Sequence, residues 1–345
     1  MPATLLSRRD RASEPNDAAM SGQSGQGLRS ERIAKIIARA GLASRRQAEA
    51  WIAAGRVAVN GAVITTPALA ITAADRVAVD GEPLPVRERT RLFLHHKPRG
   101  LVTSHADPGG RPTVFASLPE GLPRLVSVGR LDVDSEGLLL LTNDGGLARV
   151  LELPGTGWLR RYRVRAHGRV TQDRLDRLRE GITVRGVRYG PIEATLERTQ
   201  ASNVWLSVAI REGKNREVKN VLGELGLTVN RLIRVSFGPF QLGGLGPGAI
   251  EEVKTRTLRE QLGTRLAALA QADFSAPVLQ PQPQPAEGSR RGEAHSKLAA
   301  AARAGSSGPA GAARGRRGLA ADRIGEPERA RRERGRHRRR LRKGR

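Results

Sequence analysis

Four consecutive leucines, Leu138–Leu141, follow an acid-rich stretch in the run LVSVGRLDVDSEGLLLLTNDGG between Leu125 and Gly146. An apolar run bounded by turn residues reads as a buried strand, and LVSV before it reads the same way. A chain carrying both must build a sheet inside a domain-sized core. GRLDVDSEG between them is an irregular loop that holds Asp132, Asp134 and Glu136 between two apolar strands. A loop aspartate is ordinarily a turn or capping residue. Metal binding is a second reading, although DxDxE lacks the glycine and distal glutamate of a calcium loop. Catalysis is the third. Asn143-Asp144-Gly145 closes the run as a turn.

Three further segments share this block. LFLHHKPRGLVTSHADPGGRPTVFASLP starts as a short apolar strand and runs into loops carrying Lys97, Arg99 and Arg111, which by composition are solvated turns or cationic contacts. RRYRVRAHG alternates, so Arg161, Arg163 and Arg165 share one strand face while Tyr162, Val164 and Ala166 share the other. On period alone Tyr162 is a core aromatic. In REGKNREVKNVLGELGLTVNRLIRVSFGPF, Val218, Val221, Leu222 and Leu225 define an apolar helical face, with Lys214, Arg216 and Lys219 beside it and Arg231 and Arg234 on a following strand.

Ahead of that block, Ser30 is placed to cap a helix with Ile33, Ile36, Ile37 and Ala40 inward, while Arg32, Lys35 and Arg39 share another face. Ser44 and Gln47 have capping-box spacing for a second helix burying Ala48, Trp51 and Ile52. Arg45 and Arg46 in its first turn are either ordinary surface residues or, with the free N–H groups there, a phosphate site. RVAVNGAVI reads as a hairpin turning at Asn60-Gly61, and DRVAVDG as another short strand.

Of 345 residues, 60 are Lys or Arg against 34 Asp or Glu, a net charge of +26 that favours a polyanionic partner. Half of it lies in residues 286–345, where 19 basic residues face 6 acidic ones after a QPQPQP linker. Cysteine is absent, which excludes disulfides, thiolate nucleophiles and Cys-ligated metal centres. The six histidines form no helical ligand pair, so no metal site and no cofactor is expected. No stretch reaches the roughly 18 apolar residues of a membrane span, and MPATLLSRRDRASEPND has no secretory pattern. The expected molecule is a soluble, cytoplasmic monomer with no membrane partner. Its expected divisions are a disordered extension at 1–29, a small basic domain at 30–89, a larger domain at 90–258, and a disordered basic tail at 259–345.

AKIIARAGLASRRQAEAWIAAGRVAVNG, ending in VDG, resembles the S4 RNA-binding domain over residues 30–82. That likeness implies structured RNA as partner and places Lys35, Arg39, Ser44, Arg45 and Arg46 at its surface. GRLDVDSEGLLLLTNDG, with KPRGLVTS and DPGGRPTV before it and YRVRAHG, EGKNREVK and RLIRVSFGPF after it, resembles the bacterial rRNA pseudouridine synthases of the RsuA/RluB type over about 92–253. The agreement of several separated motifs in order makes the likeness specific.

The resemblance implies an α+β fold with a mixed, largely antiparallel sheet flanked by helices. It also implies isomerisation of uridine to pseudouridine in ribosomal RNA or a pre-ribosomal particle. The Arg-rich tail is similar to the large-subunit branch. By the resemblance Asp132 is the essential aspartate, Lys219 its basic partner, Tyr162 the active-site tyrosine, and Val218 a wall of the uracil pocket. Lys97, Arg99, Arg111, Arg130 and Arg216 are further RNA contacts, with Arg130 positioned to fill the gap left by a flipped base. This chain departs from the family pattern at His96, Glu217 and Asn220, where Asn, Gln and Arg are frequent. The alternatives are a small-subunit (16S) rRNA pseudouridine synthase, a non-catalytic S4-containing ribosome-assembly factor and, more distantly, a DNA-binding protein, although no DNA-reading motif is visible.

Overall fold

The structure, a computed structural model, describes residues 30–279; the disordered segments expected at 1–29 and 280–345 lie outside it. The first domain runs through β1 (Glu31–Arg32), α1 (Ile33–Arg39), α2 (Arg45–Ala53), β2 (Val57–Val59), β3 (Ala62–Ile64), β4 (Ala70–Ile71), β5 (Val77–Val79) and β6 (Glu82–Pro83). Strands β3-β2-β5-β6 form a sheet, and β1 pairs separately with β4. Asn60 and Gly61 both take positive φ, the geometry of a tight hairpin turn. Ser44 accepts the Gln47 N–H while the Gln47 side chain accepts the Ser44 N–H, completing the capping box. The start of α1 corrects the expected Ser30 cap. The Glu31–Arg32 backbone is drawn into the β1–β4 ladder, and the helix begins at Ile33 without a side-chain cap. Ile33, Ile37, Ala48, Ile52 and Val57 are fully buried in this small core.

The second domain contains β7 (Leu92–Lys97), β8 (Val126–Ser127), β9 (Glu136–Thr142), α3 (Gly145–Glu152), β10 (Arg160–His167), α4 (Gln172–Asp176), β11 (Ile182–Val184), β12 (Val187–Tyr189), β13 (Ile192–Gln200), β14 (Asn203–Ile210), α5 (Glu217–Glu224), β15 (Thr228–Phe237), β16 (Phe240–Gln241), β17 (Ile250–Glu252) and α6 (Thr255–Ala270). Its main sheet has the order β13-β14-β10-β15-β9-β7-β17, with β16 on β15 and β8 on β9. Every pairing in it is antiparallel except β9 with β15. The sheet is thus mixed and largely antiparallel, as the sequence suggests.

The leucine run explains the layering. Leu139 and Leu141 pack on one side with Tyr162, Val164, Leu206 and Val218, whereas Leu138 and Leu140 pack on the other with α3, α6 and Phe237. A strand with side chains buried on both faces has no polar alternation to show. At its start, Gly137 takes φ +103°, and a Cβ there would lie 2.4 Å from the Arg234 carbonyl oxygen. Only glycine permits that approach of β9 to β15.

Two boundaries differ from expectation. At Asn143-Asp144-Gly145 the turn that closes β9 runs directly into a helix that was not expected: Asp144 Oδ1 accepts the Gly146 N–H at 2.7 Å and caps α3. The larger domain also does not end at 258. Helix α6 continues to Ala270, burying Leu258, Leu262 and Ala270 at four- and eight-residue spacings, so residues 259–279 belong to the folded body rather than to a disordered tail. A kink at Gly263 interrupts the period there and obscures the helix in sequence.

The segment after α6 fastens the two domains. Thr90 N–H donates to Asp273 O at 2.7 Å and Arg89 N–H to Pro277 O at 3.0 Å. Asp144 Oδ2 accepts from Arg87 at 2.7 Å and from Thr90 Oγ1 at 2.8 Å, so one buried carboxylate caps α3 and holds the interdomain linker.

Candidate active site

Asp132 lies on the irregular loop that joins β8 to β9. The backbone of that loop is bonded to its surroundings at successive points. Gly129 N–H donates to Glu152 Oε1 at 2.7 Å, Thr103 Oγ1 donates to Leu131 O at 2.9 Å, and Gly100 N–H donates to Val133 O at 2.7 Å. Beneath it, Lys97 Nζ reaches the carbonyl oxygens of Ser135 at 2.9 Å and Pro98 at 3.0 Å. A loop tied down in this way holds its carboxylate without waiting for substrate.

From the opposite side, the first turn of α5 presents Lys219, whose Nζ lies 3.7 Å from Asp132 Oδ2 and 2.5 Å from Asp134 Oδ1. Burial alone would raise the Asp134 carboxyl, but the Lys219 bond and the charges of Lys219 and Arg216 outweigh it and hold it below its ordinary range. Arg216, at φ +50°, turns the chain into α5, and Val218 packs inward.

Asp132, Arg130, Tyr162, Arg216 and Val218 line one cleft of about 760 Å³. Tyr162 is buried in β10, opposite Arg234 on β15. The cleft combines a half-exposed carboxylate, an ammonium group beside it, an aromatic wall and an apolar wall. Such a set suits a flat, neutral base turned toward a carboxylate.

Residues 31–77 match the S4 domain family, and residues 91–223 match the RNA pseudouridylate synthase family. The chain is 42% identical over 231 residues to an uncharacterized RNA pseudouridine synthase of Rickettsia prowazekii, covering 67% of this chain and 97% of that protein. It is 38% identical over 250 residues to the ribosomal large subunit pseudouridine synthase B of Pseudomonas aeruginosa, covering 69% of this chain and 64% of that one. A crystal structure of a pseudouridylate synthase aligns with 30% identity over 67% of this chain and 99% of its own, at TM-score 0.47. The chain belongs to the RNA pseudouridine synthases. It is therefore an enzyme that isomerises uridine to pseudouridine in RNA.

The synthase brings Asp132, Tyr162, Lys219, Val218, Arg130 and Arg216 to one cleft or its border, while several of the expected RNA contacts have partners within the chain. Lys97 is fully buried because β7 runs through the sheet interior, and its ammonium group serves three loop carbonyls rather than solvent. Burial lowers it to about 8, with the nearby Asp134, Asp132 and Glu136 charges opposing the shift. Arg39 is turned toward the domain seam, ion-paired with Glu31 at 3.0 Å and reaching Ala270 O at 3.4 Å. Lys35 also pairs with Glu31, and the Ser44 hydroxyl is engaged in its cap. Arg45 and Arg46 are exposed at the start of α2, as are Arg99 and Arg111 on their loops, with Arg111 paired to Asp107 at 2.7 Å.

Several cleft residues escaped the sequence reading. Arg160 and Arg234 are buried arginines lining the cleft. The two-residue alternation puts Arg160 on the Tyr162 face, which was the available signal. Glu217, also buried there, accepts the Lys214 N–H at 2.9 Å; burial raises its carboxyl above the ordinary range. Thr103 and Glu152 act only through loop backbone and carried no signal in sequence.

Proposed function

We propose that this synthase modifies a uridine of ribosomal RNA, and that its target lies in the large subunit. Relatives at 37–38% identity named ribosomal large subunit pseudouridine synthase B support that substrate. The observation carrying the catalytic reading is the placement of Asp132 beside Lys219, at 3.7 Å, in the cleft that Tyr162 lines.

The isomerisation breaks the N1–C1′ bond of the target, turns the uracil and joins C5 to C1′; the C5 proton leaves and N1 ends protonated. Asp132 is the group that meets the electron-poor sugar or base centre, as a carboxylate can add there and later depart. Lys219 faces that carboxylate at 3.7 Å and keeps it aimed. Tyr162 stacks on the turned base and lies where a proton can be exchanged. The uridine must leave its stack to reach Asp132, and Arg130 at the rim fills the gap or holds a phosphate. Val218 walls the uracil.

Arg45 and Arg46 on the S4 domain, with Arg99, Arg111 and Arg216, contact RNA backbone and recognise shape more than sequence. The synthase acts as a monomer in this reading, and no cofactor is required by the bond changes. Among the described residues no helix is long and apolar enough to cross a membrane, and no group of His, Asp and Glu is arranged to hold a metal. An rRNA substrate sets the synthase in the cytoplasm.

RNA carrying tritium at uridine C5 tests the reaction directly. Wild type should release tritium to water from ribosomal RNA transcripts, whereas Asp132→Ala should release none. Equal release by the variant overturns the assignment of Asp132.

A further inference from the structure

Arg160 and Arg234 stand apart from the other cations of the synthase. Both line the Asp132 cleft, yet they are only 9% and 3% exposed. Neither is ion-paired with a carboxylate among the described residues. Arg160 Nη1 donates to the carbonyl oxygens of Trp158 at 3.2 Å, Arg211 at 2.6 Å and Glu212 at 2.8 Å. Arg234 Nε donates to Leu138 O at 2.7 Å, and its Nη2 is buried with no partner at all. Both guanidinium groups lie over the Phe237 ring, the Arg160 guanidinium carbon 4.6 Å and that of Arg234 5.2 Å from its centre.

Two like charges brought this close and out of water repel each other and lose hydration. A protein ordinarily offsets such a cost with a carboxylate or leaves the position apolar. Phe237 offsets part of it through its ring faces, but ring contacts leave the N–H edges unsatisfied. The backbone carbonyls bring no net negative charge. Glu217, buried in the same cleft, offsets Arg160 at longer range, but among the described residues no carboxylate reaches ion-pair distance of either arginine and Arg234 Nη2 stays unmet, a place that an anion entering the cleft would fill. A uracil carbonyl would meet one N–H and leave both charges uncompensated. A phosphodiester brings one full charge and two free oxygens, the pattern that guanidinium groups bind best.

We propose that Arg160 and Arg234 form an internal phosphate subsite that holds a backbone phosphate next to the target uridine while its base faces Asp132. This rests on the isomerase reading above and adds to it a means of drawing the nucleotide out of its stack. Arg234 is the register partner of Tyr162 across β10 and β15, so the phosphate and the stacked base are gripped by adjacent strands. Rim cations such as Arg130 and Arg216 meet phosphates in open water, where screening weakens them; the internal pair acts where it does not.

The test uses the full chain and an rRNA hairpin containing a uridine it converts. One neutral methylphosphonate replaces, in turn, the phosphate on each side of that uridine. For wild type, one of the two replacements should weaken binding by about 10- to 100-fold, the range of a charge-assisted contact. In Arg234→Met and in Arg160→Lys the same replacement should cost less than about 3-fold, because the guanidinium edge that grips that phosphate is gone, even where a lysine charge remains to serve the loop carbonyls. Arg160→Lys keeps a cation that can serve the loop carbonyls and decides the matter if Arg234→Met loses its cooperative unfolding transition. Wild type that converts the uridine yet is indifferent to both replacements overturns the subsite and leaves the isomerase reading standing. Full wild-type penalties in the folded variants also overturn it. Failure of wild type to convert a uridine in any ribosomal transcript and in a pre-ribosomal particle removes the ribosomal-RNA reading, and the subsite with it.

Discussion

Lys219 stands between two carboxylates of one loop, 3.7 Å from Asp132 Oδ2 and 2.5 Å from Asp134 Oδ1. The shorter bond goes to the residue that faces solvent, and the longer one to the residue placed for chemistry. Asp134 thus holds the ammonium group in position without neutralising Asp132. Lys219→Met should lower kcat by about 10²-fold, the order found on removing one positioned electrostatic group. RNA affinity should stay within a few-fold. Asp134→Asn should cost far less, since Lys219 can then close on Asp132. Single-turnover rates with separate binding curves check both, and a larger loss for Asp134→Asn than for Lys219→Met would contradict the ordering.

Burial holds the Lys97 ammonium near 8, below its ordinary value of 10.5. Between those two pH values the unfolded chain binds a proton that the folded chain does not, so folding stability from this group rises as pH increases from about 8 to 10. The full span corresponds to about 3 kcal/mol. Urea unfolding at pH 7.5 and pH 10 should show this rise in wild type and its absence in Lys97→Met. Parallel pH dependence in the two proteins would remove Lys97 from the interior.

Much of the fold can be read from sequence wherever one periodicity dominates. The capping box at Ser44, the hairpin at Asn60-Gly61 and the alternation around Tyr162 all appear as expected. Lys97 and Arg39 defeated the same reading because composition treats every lysine or arginine near a loop as solvated. Only the register of β7 against β9, and the meeting of α1 with the end of α6, turn these two inward. Asp144 looked like a turn residue because its partners Arg87 and Thr90 are 57 and 54 positions away. The proposed catalytic residues Asp132, Tyr162 and Lys219 were visible through a family likeness; the loop's supports, Thr103 and Glu152, touch only backbone and left no pattern.

Asp144 caps α3 and anchors the interdomain linker. Asp144→Ala should therefore destabilise the chain by about 2–4 kcal/mol, combining a lost helix cap with a lost buried ionic contact. The S4 domain should also melt separately from the catalytic domain. Denaturant unfolding followed by far-ultraviolet circular dichroism would show two transitions in place of one; a single unshifted transition would contradict the anchoring role.

Leu262, Ala270 and the 271–279 segment pack into the folded body. A chain ended at 279 should keep the wild-type melting temperature, whereas one ended at 261 should lose at least about 3 kcal/mol through exposed apolar surface. Equal melting of the two would return residues 262–279 to the tail.

Arg45 and Arg46 lie in the first turn of α2, are exposed, and have no ion pair among the described residues. Replacing both with Ala should reduce the log–log salt dependence of RNA binding by roughly one to two, the change for one or two lost phosphate contacts. An unchanged slope would take them out of the interface.

The most direct measurement is pseudouridine mapping on large- and small-subunit rRNA transcripts treated with wild type or Asp132→Ala. One new pseudouridine in the large-subunit transcript, absent with the variant, is the expected result. A site in the small-subunit transcript, a site that survives Asp132→Ala, or no site in either RNA or in a pre-ribosomal particle would contradict it.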